Sequence, residues 1–191
     1  MSNLNFHNYF LSLEKRFIEL SEYIEITEDN FNVYSNYITL LLITTCSEFE
    51  VVSKELSKIL NDHPKNIFNI YNCFKKEGYK NILEESVFLD LYKIDIQPFE
   101  KWNEENVPFW WEAYNGVKHN RASEYKKGNL KTLIYALSAL SIVNHYFIWV
   151  KEYDTKSKNA PVMQMSGIPE IFKVSNVQYY GPVDGSDFFD I

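Results

Sequence analysis

The chain has 191 residues, 46% of them hydrophobic and 17% aromatic, which suffices for one well-buried domain or one domain with an appendage. A formal net charge of −7 excludes a protein that coats nucleic acid or anionic membrane non-specifically, because that binding rests on summed Lys and Arg; a local basic patch is not excluded. The two cysteines, Cys46 and Cys73, lack the paired spacing of a zinc or dithiol motif and read as buried small hydrophobes in a reducing cytosol.

The N-terminal residues lack a basic region followed by an uninterrupted apolar core, so no signal peptide is expected. The longest apolar run, Ile38 to Ile43 with Thr39 inside it, falls far short of the ~20 residues of a membrane span. The expectation is a soluble cytoplasmic protein with no membrane association.

In chain order, Phe6, Phe10, Leu13, Phe17, Leu20 and Ile24 recur at spacings of four and three, predicting an amphipathic helix from about Asn5 to Ile26. Thr27 to Asn30 interrupts the pattern, and Asp29 or Asn30 is the expected cap of the next helix. Ile38, Leu42, Thr45, Phe49, Val52, Leu56 and Ile59 predict that second helix, reaching Leu60. Leu40, Leu41, Ile43 and Val51 widen its apolar face, so it must be covered on several sides, by its own chain or by a partner. A homodimer is the expectation.

Asn61 to Pro64 ends that helix, and Ile67, Ile70, Tyr71 and Phe74 predict a short third one. From Lys80 to Pro98 the helical period is lost; Val87, Leu89 and Leu91 alternate, as do Tyr92, Ile94 and Ile96, predicting an irregular connection with a short strand or an extra helical turn. Asn106 as a cap and Pro108 in the first turn predict a helix from about Val107 to Asn120. Residues 122–128 read as a linker. Asn129 then caps a final helix through Val150, striped by Leu130, Leu133, Ile134, Leu137, Leu140, Asn144, Phe147 and Ile148.

The predicted fold class is all-α: an antiparallel helical bundle over residues 1–152, with an irregular extension over 153–191. Within that extension Lys156 to Pro161 reads as a linker. Glu170 to Val174 and Val177 to Tyr180 flank a turn and are predicted to pair as a hairpin, and the last residues are either mobile or dock as an arm.

No phosphate loop, dinucleotide glycine fingerprint, helical zinc-protease motif or serine nucleophile elbow occurs, and no metal or cofactor is predicted. His63 reads as an exposed loop residue, and His7 and His145 as partly buried or interface histidines. One stretch carries chemistry, Trp110 to Arg121. On its helix Trp111, Asn115, Lys118, His119 and Ala122 share one face. Lys118, His119, Arg121, Lys126, Lys127 and Lys131 fall within fourteen residues, against Glu124 alone. Such a cluster can hold a phosphate backbone while His119 moves a proton, with Lys118 or Arg121 stabilising the phosphorane and Tyr114 or Asn115 orienting the phosphate. The plainer alternative is that Asn115 and His119 bond each other or nearby backbone, while the cations favour the negative end of the helix dipole.

The run WWEAYNGVKHNR (Trp110 to Arg121), preceded by IDIQPFEKW and followed by a long apolar helix, resembles the final core helices of the HEPN superfamily. The resemblance implies an all-helical domain of bacterial defence or toxin systems. It also implies a metal-independent ribonuclease site, completed across a dimer, in which four to six residues separate an Arg from the His that follows it. His119 matches the motif histidine. The arginine is absent, since the eligible positions hold Glu112, Ala113 and Tyr114, so Lys118 or Arg121 is the expected replacement. Lys126 and Lys127 are expected to help bind RNA, and an antitoxin or another defence-system protein is the expected protein partner. The alternative is a catalytically inactive HEPN-like interaction module that binds a protein or nucleotide.

Overall fold

In the computed structural model, which describes residues 4–76, 81–152 and 167–175, the chain is mostly helical with one small antiparallel sheet. The sheet is a departure from the all-α expectation. The first helix, α1 (Leu4–Ser21), stops short of the predicted Ile26. Ser21 Oγ donates back to Ile18 O at 2.7 Å, and the N–H groups of Tyr23 and Ile24 close a turn on Leu20 O. The apolar residue beyond still packs, with Ile26 buried.

The second helix, α2 (Asn36–Ile59), is capped by Ser35, whose hydroxyl accepts from Ile38 N at 3.1 Å. Asp29 and Asn30, the expected caps, instead form a single 3-10 turn. At the far end Asn61 takes a left-handed φ of 61°, while its N–H bonds Lys58 O and that of Asp62 bonds Ser57 O. This is a Schellman closure with Asn in place of the usual Gly. The third helix, α3 (Ile67–Phe74), has Asn66 as its cap.

Both alternatives foreseen for the next connection are present. A 3-10 turn at Ile82–Glu84 leads into β1 (Val87–Leu89) and β2 (Ile94–Ile96), which pair antiparallel with Val87 opposite Ile96. The alternation buries Val87 and Leu89 and leaves Phe88 exposed. The third strand, β3 (Phe172–Val174), comes from the C-terminal region and pairs with β1, Leu89 opposite Phe172. Of the predicted hairpin, the first arm is thus a strand paired elsewhere; Val177 to Tyr180 lie outside the described residues.

Besides β1, the first and last helices hold the tail strand. The Glu14 carboxylate of α1, only 3% exposed, accepts the backbone N–H groups of Glu170, Ile171 and Phe172 at 3.0, 2.9 and 2.9 Å. Ser141, on the last helix, donates to Phe172 O at 2.7 Å. The Phe172 ring meets Phe17 edge-on, centroids 5.0 Å apart. His7, also buried, bonds Gly167 O at 2.7 Å.

The fourth helix, α4 (Phe109–His119), starts two residues later than predicted, with Pro108 at the cap position rather than in the first turn. Asn106 does not cap it: it lies outside the cap position, and its side-chain Nδ2 donates to Asn103 Oδ1 at 3.2 Å. Residues 121–127 are not an open linker but two short helical turns, α5 (Arg121–Glu124) and a 3-10 turn, Tyr125–Lys127. The last helix, α6 (Leu130–Glu152), is capped by Asn129 as expected, Oδ1 accepting from Thr132 N at 3.1 Å. Over Leu130–Val150 it is long and apolar enough to cross a membrane, and 78% of that window is buried within the protein. No continuous apolar run reveals this, because Ser138, Ser141 and Asn144 interrupt it with polar groups that carry no charge.

α6 packs along α2, with α1 and α4 against both. Between α2 and α4 lies a cluster of rings around Phe49, which contacts Phe99, Trp102, Trp110 and Trp111. Trp110 Nε1 donates to Pro98 O at 2.7 Å, so the buried indole N–H is satisfied and the start of α4 is pinned to the preceding connection.

Candidate functional site

α4 carries the predicted site, and its buried residues decide which way the polar ones face. Trp110, Ala113, Tyr114 and Val117 point into the core, so Lys118 and His119 emerge at the helix end, both exposed. Asn115 is half-buried. His119 is the last residue of α4, and among the described residues its side chain makes no hydrogen bond or ion pair. The alternative in which Asn115 and His119 bond each other is not realised.

Tyr114 is 2% exposed, so its ring belongs to the core and only its hydroxyl reaches the surface region. That hydroxyl accepts from Lys118 Nζ at 2.9 Å and lies 3.5 Å from Ser47 Oγ on α2. The hydrogen bond to Tyr114 raises the Lys118 pKa, with Tyr114 and Glu50 adding a smaller electrostatic contribution, so Lys118 is held as a cation.

The remaining cations lie beyond the end of α4. Arg121 and Lys126 are exposed and form no ion pair among the described residues. Lys127 is paired with Glu124, which raises its pKa, and Glu112 contributes further. Glu124 reaches α4 because Gly116 has no side chain; a Cβ there would sit 3.3 Å from Glu124 Oε2. Lys131 pairs with no carboxylate among the described residues, and its Nζ lies 5.6 Å from the Phe109 ring and 5.9 Å from that of Tyr135.

The basic segment is therefore divided. Lys118, with Tyr114, belongs to the side of α4 facing α2, whereas Lys127 and Lys131 lie toward α6. His119, Arg121 and Lys126 occupy the exposed turn between. Sequence spacing groups these charges but misses Glu112, which acts on Lys127, and Phe109, which Lys131 covers. The available signal was helical: Phe109, Glu112, Ala113 and Gly116 share the side of α4 opposite Lys118.

His145 is half-buried on α6, its pKa lowered to about 4 by burial and, secondarily, by His7. Tyr146 beside it donates to Glu85 Oε1 at 2.9 Å. His63 is exposed in its loop. Among the described residues no group of three or more His, Cys, Asp or Glu side chains is gathered to hold a metal ion. No family model, curated protein or solved structure matches the chain.

Proposed function

We propose that this chain is a metal-independent RNA-cleaving protein of the defence or toxin kind, acting in the cytoplasm as a dimer. The observation that carries the proposal is the exposed imidazole of His119, which engages no partner among the described residues, flanked by Lys118 and followed within two turns by Arg121 and Lys126, which form no ion pair among those residues. A phosphodiester laid across that turn meets positive charge on both sides of the histidine. His119 then takes the proton of an RNA 2′-hydroxyl, or gives one to the departing 5′ oxygen, as the 2′ oxygen attacks phosphorus and the P–O5′ bond breaks. Arg121 and Lys118 stabilise the charge that builds on the phosphorane, and Tyr114 sets Lys118 in place. The attack needs the 2′-hydroxyl, which selects RNA over DNA.

One imidazole in each chain serves one proton transfer, so a second chain supplies the other. The exposed apolar side chains Leu40 and Val51 lie on the face of α2 that carries Ser47, which approaches Tyr114, and form the surface through which two copies would pair.

A second reading is a catalytically inactive interaction module that binds a protein, such as an antitoxin, or a nucleotide. It is favoured by the internal engagement of Lys118 by Tyr114 and of Lys127 by Glu124, and by the lack of an orienting partner for His119 among the described residues. Incubating the purified protein with total RNA in EDTA separates the two. Cleavage lost by at least about 100-fold in His119→Ala supports the nuclease, that being the usual effect of removing a general acid or base. Intact RNA with the parent protein leaves the interaction module.

A further inference from the structure

A cavity of about 290 Å³ lies between α4 and the start of α6, lined by Phe109, Glu112, Ala113, Lys127, Asn129, Lys131 and Thr132. That is just below the ~300–1,000 Å³ of sites for drug-sized molecules, so it suits a single base and not a duplex. On one wall Phe109 is 41% exposed, an unusual position for a ring that has a core close by. It is not loose: its ring meets Tyr135 edge-on at 4.7 Å, and Lys131 Nζ covers both rings. An exposed ring that lines the cavity and is held in place by its neighbour can serve as a stacking platform.

The polar groups around the platform define the ligand. Lys131 is a cation with no carboxylate partner among the described residues. The backbone donors at the start of α6 are already used: Leu130 N bonds Val33 O, Lys131 N bonds Phe31 O, and Thr132 N bonds the Asn129 side chain. A phosphate must therefore be taken by the Lys131 ammonium and not by the helix end. Lys127 is neutralised by Glu124, and Glu112 adds a negative charge. The balance suits one phosphodiester and disfavours a di- or triphosphate. Glu112 itself, exposed one turn along from Phe109, is an acceptor-only group. It matches an edge that offers two donors, and among the common bases guanine presents two adjacent N–H donors on its Watson–Crick edge.

We propose that this groove binds one unstacked guanine nucleotide of single-stranded RNA, the base on Phe109, its Watson–Crick edge on Glu112 and its phosphate on Lys131. The proposal rests on the RNA reading above for its ligand class and adds a base preference to it. The groove lies on the α6 side of α4, so the bound nucleotide enters the exposed turn of His119 from the side away from Lys118.

The test uses 2′-O-methyl trinucleotides, which cannot be cleaved through a 2′-hydroxyl, so binding is read apart from catalysis. Calorimetry on the full chain compares UGU, UAU, UCU and UUU. The expected result is that UGU binds at least about tenfold more tightly than the others, the scale of one bidentate base contact. Glu112→Gln should erase the preference and Lys131→Met should weaken all four alike. Phe109→Ala should lose binding, and because it also removes a packed ring, the exposed Glu112→Gln decides if that variant fails to fold. Guanine preference lost in Glu112→Gln supports the groove even if no RNA is ever cleaved. Equal affinity for the four, or preference retained in Glu112→Gln, overturns it, and cleavage of RNA by the same preparation would leave the nuclease reading standing. Binding of free GMP without binding of UGU also overturns it.

Discussion

Glu14 on α1 and Phe172 in the tail strand are 158 positions apart in sequence, and the carboxylate of the first accepts the backbone N–H of the second at 2.9 Å. The same side chain takes the N–H groups of Ile171 and Glu170, so one buried anion satisfies three donors at the start of a strand. Buried backbone donors left without acceptors are costly, and this carboxylate supplies the acceptors.

Glu14→Ala should therefore destabilise the protein by about 2 to 4 kcal/mol, because Ile171 and Phe172 are buried and their donors would lose a charged acceptor. Urea unfolding followed by far-ultraviolet dichroism measures it. A variant as stable as the parent would mean that the Glu14 contacts contribute nothing to the folded state.

Protonation of His145 gives a pH dependence. Its folded pKa of about 4 lies below the usual 6.5, so above pH 6.5 both states are neutral and the group is silent. Between pH 6.5 and about 4 the unfolded chain takes up a proton that the folded one refuses, and stability falls as pH drops. The loss approaches about 3 kcal/mol at the lower end. The fall should be shallower in His145→Gln, measured by urea midpoints at pH 7.5, 6 and 5; identical slopes would assign the acid sensitivity to other groups.

Tyr114→Phe keeps the buried ring and removes the hydroxyl that Lys118 Nζ contacts at 2.9 Å. Stability should change by only about 1 kcal/mol, as for a single hydrogen bond. If the proposed nuclease is correct, turnover should fall while the salt dependence of RNA binding stays as before, since the charge is kept and only its position is lost. Lys118→Met, by contrast, should flatten the salt dependence. If Tyr114→Phe leaves turnover unchanged, Tyr114 does not position Lys118.

The exposed apolar side chains of α2 give an assembly prediction. Leu40 is 60% exposed and Val51 46%, three turns apart on one face of the helix. Leu40→Glu combined with Val51→Lys should leave the monomer fold intact, because neither is buried, and should convert a dimer to a 22.7 kDa particle by light scattering. A parent protein that already scatters as that monomer removes the composite site.

Replacing His119 by Ala should shift stability by no more than about 0.5 kcal/mol, as for an exposed surface position. A melting point several degrees lower would show a structural histidine instead.

The helices of this protein are legible in its sequence because each buries one stripe against the others, and a stripe is a local property. The spacing of Phe10, Leu13 and Phe17, or of Leu42, Thr45 and Phe49, records it directly. The Asn129 cap is legible for the same reason: the group it satisfies is three residues away. What only the tertiary structure decided involves partners distant in sequence. The strand at Phe172–Val174 looks like half of a local hairpin, yet it pairs with Val87–Leu89 and takes its outer acceptors from Glu14, a residue whose acidity marks it as solvent-facing when the helix is read alone. The basic segment reads as one cluster because charge is counted along the chain. In three dimensions α4 separates Lys118 from Lys131, Glu124 and Tyr114 each engage one of the cations, and His119 is left as an exposed imidazole because it ends the helix beyond its last contact with the core.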